Sequence, residues 1–123
     1  MMADYEDLKT LKESYRQKNR QLEFALNGDD VNKGYKDLAI DMSTKEKAYK
    51  KEKAKVFAKL KISGNPVTLI PTLAEGECSD LWLEWRIAEA TFHACRENIK
   101  RLHTNIDTHQ SLLATARAEM AIR

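Results

Sequence analysis

From Leu81 to Met120 the sequence places apolar residues at alternating spacings of four and three. The series runs Leu81, Trp85, Ala88, Phe92, Cys95, Ile99, Leu102, Ile106, His109, Leu113, Ala116 and Met120, and only His109 is neither apolar nor a thiol. A period of 3.5 residues is typical of a long helix that buries one stripe against another helix. The series predicts a helix over residues 80–122, about 60 Å long at 1.5 Å per residue.

Two further amphipathic segments precede this helix. Leu8, Leu11, Tyr15, Leu22 and Ala25 form one stripe, which predicts a helix over residues 3–27. Tyr35, Leu38, Met42, Tyr49, Val56 and Leu60 form another, which predicts a helix over residues 31–62. The two registers are offset by one residue at Gly28–Asp30, which is either a loop or an irregularity in one long helix. The turn-forming composition there favours a break, and Asp29 or Asp30 could cap the next helix.

A helix stop follows at residues 62–66. Gly64 suits the left-handed position after a helix C-terminus, and Pro66 cannot continue a helix. Residues 62–79 then form an apolar linker, which we expect to be extended, with Ser79 or Asp80 capping the last helix.

Folding the chain about this linker pairs two apolar seams. With the midpoint near residue 71, Trp85 lies opposite Phe57, Phe92 opposite Tyr49, Ile99 opposite Met42, and Ile106 opposite Tyr35. These eight residues form the predicted core of the hairpin. The predicted fold is therefore all-α: an elongated, coiled-coil-like antiparallel helical hairpin with a third N-terminal helix, in a single domain over residues 1–123.

The last helix also carries a second apolar face. Leu83, Ile87, Ala90 and Ala94 lie about 180–240° from Leu81 at 100° per residue. A two-helix hairpin covers only one side of a helix, so we expect another element to cover this face. The apolar linker, the first helix folded back and a second copy of the chain are the alternatives.

Composition narrows the classes of function. One third of the 123 residues are charged, the net charge is +2, and no apolar run has the length of a membrane-spanning helix. No basic-then-apolar leader opens the sequence, and Cys78 and Cys95 are too few for a disulfide framework. We expect a protein of a reducing cytoplasm that does not contact membranes.

Catalytic motifs are not found in the sequence. It has no glycine-rich phosphate loop, no Cys-x-x-Cys and no His-Glu-x-x-His, and its three histidines are not spaced as metal ligands on one helix. We expect neither catalytic residues nor a bound metal, cofactor or small molecule, and so no enzyme. His109 in the seam is interpreted as a hydrogen-bonded polar residue that fixes register.

A lysine run is the strongest chemical signal. Residues 45–61 contain eight lysines and two acidic residues. The lysine face, formed by Lys47, Lys50, Lys51, Lys55 and Lys61, spans about 140° of the helix at 100° per residue. Small residues between these lysines would allow a phosphate backbone to approach, without reading its sequence. The alternative interpretation is a solvated charged face with no ligand.

One segment carries a family resemblance. The run Lys61-Ile-Ser-Gly-Asn-Pro-Val-Thr-Leu-Ile-Pro-Thr-Leu-Ala-Glu-Gly76, with Arg-Ile-Ala-Glu-Ala over residues 86–90, is similar to small helical-hairpin proteins of bacteriophage and prophage early regions. The resemblance covers about residues 45–122. It implies a phage accessory protein that acts in the host cytoplasm near recombination genes, and it supplies no catalytic residues.

Two hypotheses of function follow from these patterns. The first is a non-enzymatic interaction protein that binds a protein partner or itself, and assists phage recombination or replication or inhibits a host nuclease or defence system. The second is a sequence-nonspecific nucleic-acid-binding protein that uses the lysine face.

Overall fold

A computed structural model describes residues 5–29 and 32–122, and those residues form helices without a strand. The helices are α1 (Tyr5–Asn27), α2 (Tyr35–Ile62), α3 (Ile70–Glu77) and α4 (Ser79–Ile122). The all-α prediction is confirmed. The predicted start of the first helix, residue 3, lies outside the described residues. The second helix was predicted from residue 31, but residues 32–34 are not helical and α2 begins at Tyr35. The chain divides into a central unit, residues 36–93, and a terminal unit, residues 1–35 with 94–123.

The central unit is an antiparallel hairpin of α2 and the first part of α4. The rings of Tyr49 and Trp85 stack with their centroids 5.5 Å apart. An ion pair joins Lys45 Nζ on α2 to Glu84 Oε2 on α4 at 3.9 Å. Since both contacts join α2 to α4 across the linker, the predicted hairpin is present in this unit.

Residues 70–77 are a helix rather than the extended segment that the sequence predicted. Ile70, Ala74 and Cys78 recur every four residues and are all buried. Ala74 and Cys78 pack with Tyr49 and Val56 in one apolar cluster. Pro71 lies in the first helical turn, where its missing N–H costs no hydrogen bond. The linker therefore contributes a helix to the hairpin core.

The predicted stop after α2 is confirmed in detail. Gly64 has a φ of 80°, in the left-handed region. The N–H of Asn65 donates to the Leu60 carbonyl at 3.3 Å, and the N–H of Gly64 donates to the Lys61 carbonyl at 3.2 Å. These two hydrogen bonds are those of a Schellman motif, which satisfies carbonyls that the end of the helix leaves without partners. At the other end of the linker, α4 already includes Ser79 and Asp80, and the Cys78 carbonyl accepts from the Trp82 N–H.

The predicted register of the hairpin is wrong in the central unit. Trp85 stacks on Tyr49 and not on Phe57, a displacement of eight residues, or about two turns along α2. Phe57 is 38% exposed and does not belong to the core. The prediction treated the linker as a simple bend, whereas α3 occupies space beside α2. Tyr49 and Phe92 are buried and Trp85 is half-buried, so their predicted places in the core are confirmed.

The terminal unit packs α1 against the second part of α4, in antiparallel directions. Leu8 clusters with Leu113 and Ala116 near the end of α4. Further along, the Gln110 side-chain amide donates to the Tyr15 hydroxyl at 3.1 Å. Ile106 is buried in the terminal unit, where Ile99 and Tyr35 are half-buried. Met42, in the central unit, is half-buried as well. A third, N-terminal helix is therefore confirmed, while the predicted pairings of Ile99 with Met42 and Ile106 with Tyr35 stay predictions.

The predicted break between the first two helices is also confirmed. Gly28 has a φ of 70°, and its N–H donates to the Phe24 carbonyl at 2.7 Å. Asp29 Oδ1 accepts from the Asn32 N–H at 2.6 Å, so this carboxylate closes the loop rather than capping α2. Asp30, the other predicted cap, lies outside the described residues. Gly28 and Gly34 bring the two ends of the loop into backbone contact.

The seam along α4 is confirmed by burial. All twelve of its residues, from Leu81 to Met120, are buried or half-buried. His109 is half-buried, and its Nδ1 lies 2.7 Å from the Asn105 carbonyl oxygen one turn earlier. This histidine therefore has a polar partner within its own helix. The elongated shape of the whole molecule stays a prediction.

Candidate interaction surfaces

The second apolar face of α4 is solvent-exposed. Leu83 is 52% exposed and Ile87 is 58% exposed, and Ala90 and Ala94 are exposed as well. The first three lie in the central unit, on the side of α4 opposite Leu81 and Trp85. Because α3 turns its buried residues towards the cluster around Tyr49 and Val56, the linker does not bury Leu83 or Ile87. Of the three coverings that the sequence left open, the linker is excluded for these two residues.

An aromatic and cationic cluster borders this face. The Arg86 guanidinium lies 4.3 Å from the centroid of the Trp85 ring and 5.5 Å from that of Trp82. Lys50 Nζ lies 6.0 Å from the Trp85 centroid, and Arg86 also binds Glu89 at 2.9 Å. Cations at these distances are attracted to the negative face of an indole ring. The cluster fixes the orientation of Trp85 between the two helices of the hairpin.

Trp85 carries an unsatisfied polar atom. Within the part of the chain that the structure describes, its indole Nε1 is buried and has no hydrogen-bond partner. Leaving a buried donor unpaired costs about 1–3 kcal/mol. Stacking on Tyr49 and the two cations over the ring offset part of this cost. The ring is therefore held by its faces and not by its N–H group.

The lysine face is accessible along the second half of α2. Lys47, Lys50, Lys51, Lys55 and Lys61 are all exposed. Lys50 donates to Glu46 at 2.7 Å, so its charge is partly neutralised. The ion pairs among the described residues do not include Lys47, Lys51, Lys55 or Lys61. The face therefore keeps four positive charges that face solvent without a carboxylate within 4 Å.

Lys53 lies beside this face and is bound to the hairpin. Its Nζ lies 3.7 Å from Glu75 Oε1 on α3 and 5.6 Å from the centroid of the Tyr49 ring. A side-chain hydrogen bond with Tyr49 is the main cause that raises the pKa of Lys53, and the Glu75 carboxylate raises it further. Lys53 therefore stays charged while it connects α2 to α3.

A shallow groove on α2 combines lysines with an aromatic ring. Its lining residues are Lys50, Lys53, Ala54, Phe57, Ala58 and Lys61, and we call it the Phe57 groove. The sequence pattern had assigned Phe57 to the hairpin core, so this groove was not predicted. A helical wheel at 100° per residue carries the missed signal, since it places Phe57 about 20° from Lys50 and about 80° from Tyr49.

Both cysteines have a thiol pKa raised by burial. Cys78 is buried in the hairpin cluster, and burial raises the pKa of its thiol. Cys95 is half-buried, its Sγ lies 3.5 Å from the Ala25 carbonyl oxygen, and burial raises its pKa too. A raised pKa keeps a thiol protonated and weakly nucleophilic. Within residues 5–29 and 32–122, three or more His, Cys, Asp or Glu side chains do not gather as metal ligands.

The helices within residues 5–29 and 32–122 include no candidate membrane span. Not one of them is both long enough and apolar enough to cross a bilayer.

Comparisons with known proteins add no relative to this picture. The chain matches no family model, no curated protein and no solved structure.

Proposed function

We propose that this chain is a non-enzymatic helical interaction protein that binds a protein partner through the second apolar face of α4. The observation that carries the proposal is the exposure of Leu83 and Ile87, one turn apart, on the side of α4 opposite the hairpin core. Ala90 continues the face by another turn. Apolar residues at positions i, i+4 and i+7 are the usual anchors when a helix docks into the groove of a partner.

The two large apolar side chains of this face can contribute part of the binding energy of a specific contact. Burying a Leu or Ile side chain completely contributes about 1.5–3 kcal/mol, so two half-exposed side chains contribute on the order of 2–3 kcal/mol. Trp82, which is also exposed, and Arg86 lie beside the face, and Trp and Arg are the residue types that most often dominate binding energy. Ala90 is small and would let the backbone of a partner approach closely.

The biological setting comes from the resemblance of residues 45–122 to phage helical-hairpin proteins. On that basis the partner belongs to the phage recombination or replication apparatus, or is a host nuclease or defence protein that this chain inhibits. Binding would take place in the host cytoplasm. Self-association through the same face is included in the proposal, because a second copy offers the same apolar residues.

A charge-insertion variant tests the proposal. In Leu83→Glu/Ile87→Glu, we expect the loss of the protein that co-purifies with the tagged chain from infected host cells, identified by mass spectrometry. We also expect the loss of any dimer seen by sedimentation velocity. Binding should be lost because burying a carboxylate in an interface without a partner charge is costly. The fold should persist because both positions are exposed in the isolated chain.

The matched control places the same charges on other exposed apolar residues, in Ile40→Glu/Leu112→Glu. This control should keep both the partner and the dimer. A chain that is monomeric and recovers no partner, or a partner that both double variants lose equally, contradicts the proposal.

As a second candidate function, we propose sequence-nonspecific nucleic-acid binding by the lysine face. The four lysines of this face that lack an ion pair favour it, because neutralising phosphates releases counterions and drives association. A gel shift across a salt series tests it. We expect a shift at about 50 mM salt that weakens steeply as salt rises.

Two variants with the same change of net charge separate this face from general electrostatics. Lys47→Glu/Lys50→Glu/Lys51→Glu/Lys55→Glu should abolish the shift. The control reverses the charge of four exposed lysines elsewhere, Lys9, Lys12, Lys36 and Lys100, and should weaken the shift only slightly. Equal losses in the two variants, or no shift of the unmodified protein at low salt, contradict nucleic-acid binding by this face.

A further inference from the structure

The Phe57 groove suggests a more specific ligand than a generic polyanion. We infer that it binds single-stranded nucleic acid, with one base stacked on the Phe57 ring and the phosphates on either side of that base held by lysines of α2. This inference rests on the second candidate function, nucleic-acid binding by the lysine face. It adds the form of the nucleic acid and the residue that selects it.

Phe57 lies outside the apolar core of the central unit. Phe57 is 38% exposed, although the same helix contributes Tyr49 and Val56 to the apolar cluster of the central unit. Val56, the residue before it, is buried in that cluster, so the backbone turns Phe57 away from the core. The exposed part of the ring therefore lines the groove on the surface of α2.

Lysines lie on both sides of the Phe57 ring along α2. Lys50 lies seven residues before Phe57 and Lys61 lies four residues after it, which places them about 10 Å and 6 Å away along the helix axis. Both line the same groove as the ring. Ala54 and Ala58 between them are small, so a ligand can reach the ring without displacing a long side chain. Cations on both sides of an aromatic ring match the alternation of base and phosphate along one strand.

The accessible ring also explains why a single strand is favoured over a duplex. In a duplex each base face is covered by its neighbours, so an aromatic side chain can meet base edges and backbone but cannot stack on a base. In a single strand every base has a face that can stack on an aromatic side chain. The lysines would attract both forms, and only the single strand would gain the contact with Phe57.

An acidic amphipathic peptide is the competing ligand, and the groove is less suited to it. Such a helix needs large apolar anchors on successive turns. The groove provides one large apolar side chain, Phe57, with two alanines, against three lysines. A flat ring beside several charges suits a ligand with many phosphates and flat bases. We therefore assign the groove to single-stranded nucleic acid.

Fluorescence anisotropy with the full chain tests the inference. A labelled oligo-dT, a duplex of the same length and a labelled acidic amphipathic helical peptide are titrated at about 50 mM salt, where phosphate contacts are strong. We expect the oligo-dT to bind more tightly than the duplex and the peptide. In Phe57→Leu we expect oligo-dT affinity to fall about fivefold or more, the loss that removing a stacking aromatic produces. Duplex affinity should stay the same.

Two further variants complete the experiment. Phe57→Trp should keep or raise oligo-dT affinity, because an indole offers a larger stacking surface. Phe24→Leu is the matched control, since Phe24 is an exposed phenylalanine on α1, in the other unit, and this variant should bind as the unmodified protein does. Circular dichroism verifies that each variant is folded, which we expect because Phe57 and Phe24 are outside the two core clusters.

The outcomes separate the inference from the function on which it rests. Equal binding of oligo-dT and duplex, both unchanged by Phe57→Leu, would overturn the stacking site while nucleic-acid binding stands. An equal loss in Phe24→Leu would overturn the location of the site. Peptide binding as tight as oligo-dT binding would replace the nucleic acid by an acidic protein. The absence of binding to oligo-dT and duplex alike would overturn both the inference and the second candidate function.

Discussion

Gly28 and Gly34 show how single residues separate α1 from α2. A Cβ atom on Gly34 would lie 2.4 Å from both the Asn27 carbonyl carbon and the Leu26 carbonyl oxygen. Gly28 adopts a left-handed φ. A Cβ atom added at Gly28 would lie 2.3 Å from the Asn32 carbonyl oxygen, which is also a backbone atom. Backbone atoms cannot move aside as the end of a flexible side chain can. The absence of side chains at both positions therefore permits the closed loop between the helices.

Gly34→Ala is expected to lower the free energy of unfolding by about 1–3 kcal/mol, because the loop must open to make room for the methyl group. Urea denaturation followed by circular dichroism measures this change. Gly76→Ala is the control, because Gly76 lies in α3 with no atom within 4 Å of the added Cβ. Alanine there should stabilise the protein by about 0.5–1 kcal/mol, since it favours the helix. Equal effects of the two substitutions would contradict the close contact at Gly34.

At the scale of the element, α3 decides how α2 and α4 meet. Its buried residues recur every four positions, so one side of this short helix packs into the hairpin core. The sequence contains this spacing, but the segment follows the helix stop at Gly64 and Pro66 and was interpreted as an extended apolar linker. Proline is compatible with the first turn of a helix, and there the spacing of Ile70, Ala74 and Cys78 was the better indicator.

Ile70→Ala should lower the free energy of unfolding by about 2–4 kcal/mol, because it leaves a cavity where a fully buried side chain was. Chemical denaturation measures the loss. Leu73→Ala, at a residue of the same helix that is 41% exposed, is the control and should cost less than about 1 kcal/mol. If the two substitutions cost the same, α3 does not pack through the side that carries Ile70.

At the scale of the whole molecule, α4 is the element that the two units share. Its residues 79–93 contribute to the core of the central unit, and its residues 94–122 contribute to that of the terminal unit. A helix of this length is stable in water mainly because its apolar stripe is packed. Melting one unit would therefore expose part of a helix on which the other unit depends, so we expect the two units to unfold together.

Leu102→Ala tests this cooperativity, because Leu102 is buried in the terminal unit. The two tryptophans of the chain, Trp82 and Trp85, lie in the central unit, so their fluorescence reports on that unit. We expect the substitution to lower the free energy of unfolding by about 2–5 kcal/mol. The midpoints measured by tryptophan fluorescence and by circular dichroism should fall together. An unchanged fluorescence midpoint would mean that the units unfold separately.

The sequence by itself determined the features that depend on local pattern. The all-α class, the stripe of α4, the break at Gly28 and the cap at Gly64 follow from spacings and turn residues within a few positions of one another. The exposure of Lys47, Lys51, Lys55 and Lys61 follows in the same way, since a helix sets which residues share a side.

Only the tertiary structure decided which residues lie opposite one another. The register that places Trp85 on Tyr49 depends on the space that α3 occupies, and no short-range pattern specifies that space. The exposure of Leu83 and Ile87 follows from the same packing. Local periodicity determines on which face of its helix a side chain lies. Which residues pack against that face depends on parts of the chain that are distant in sequence.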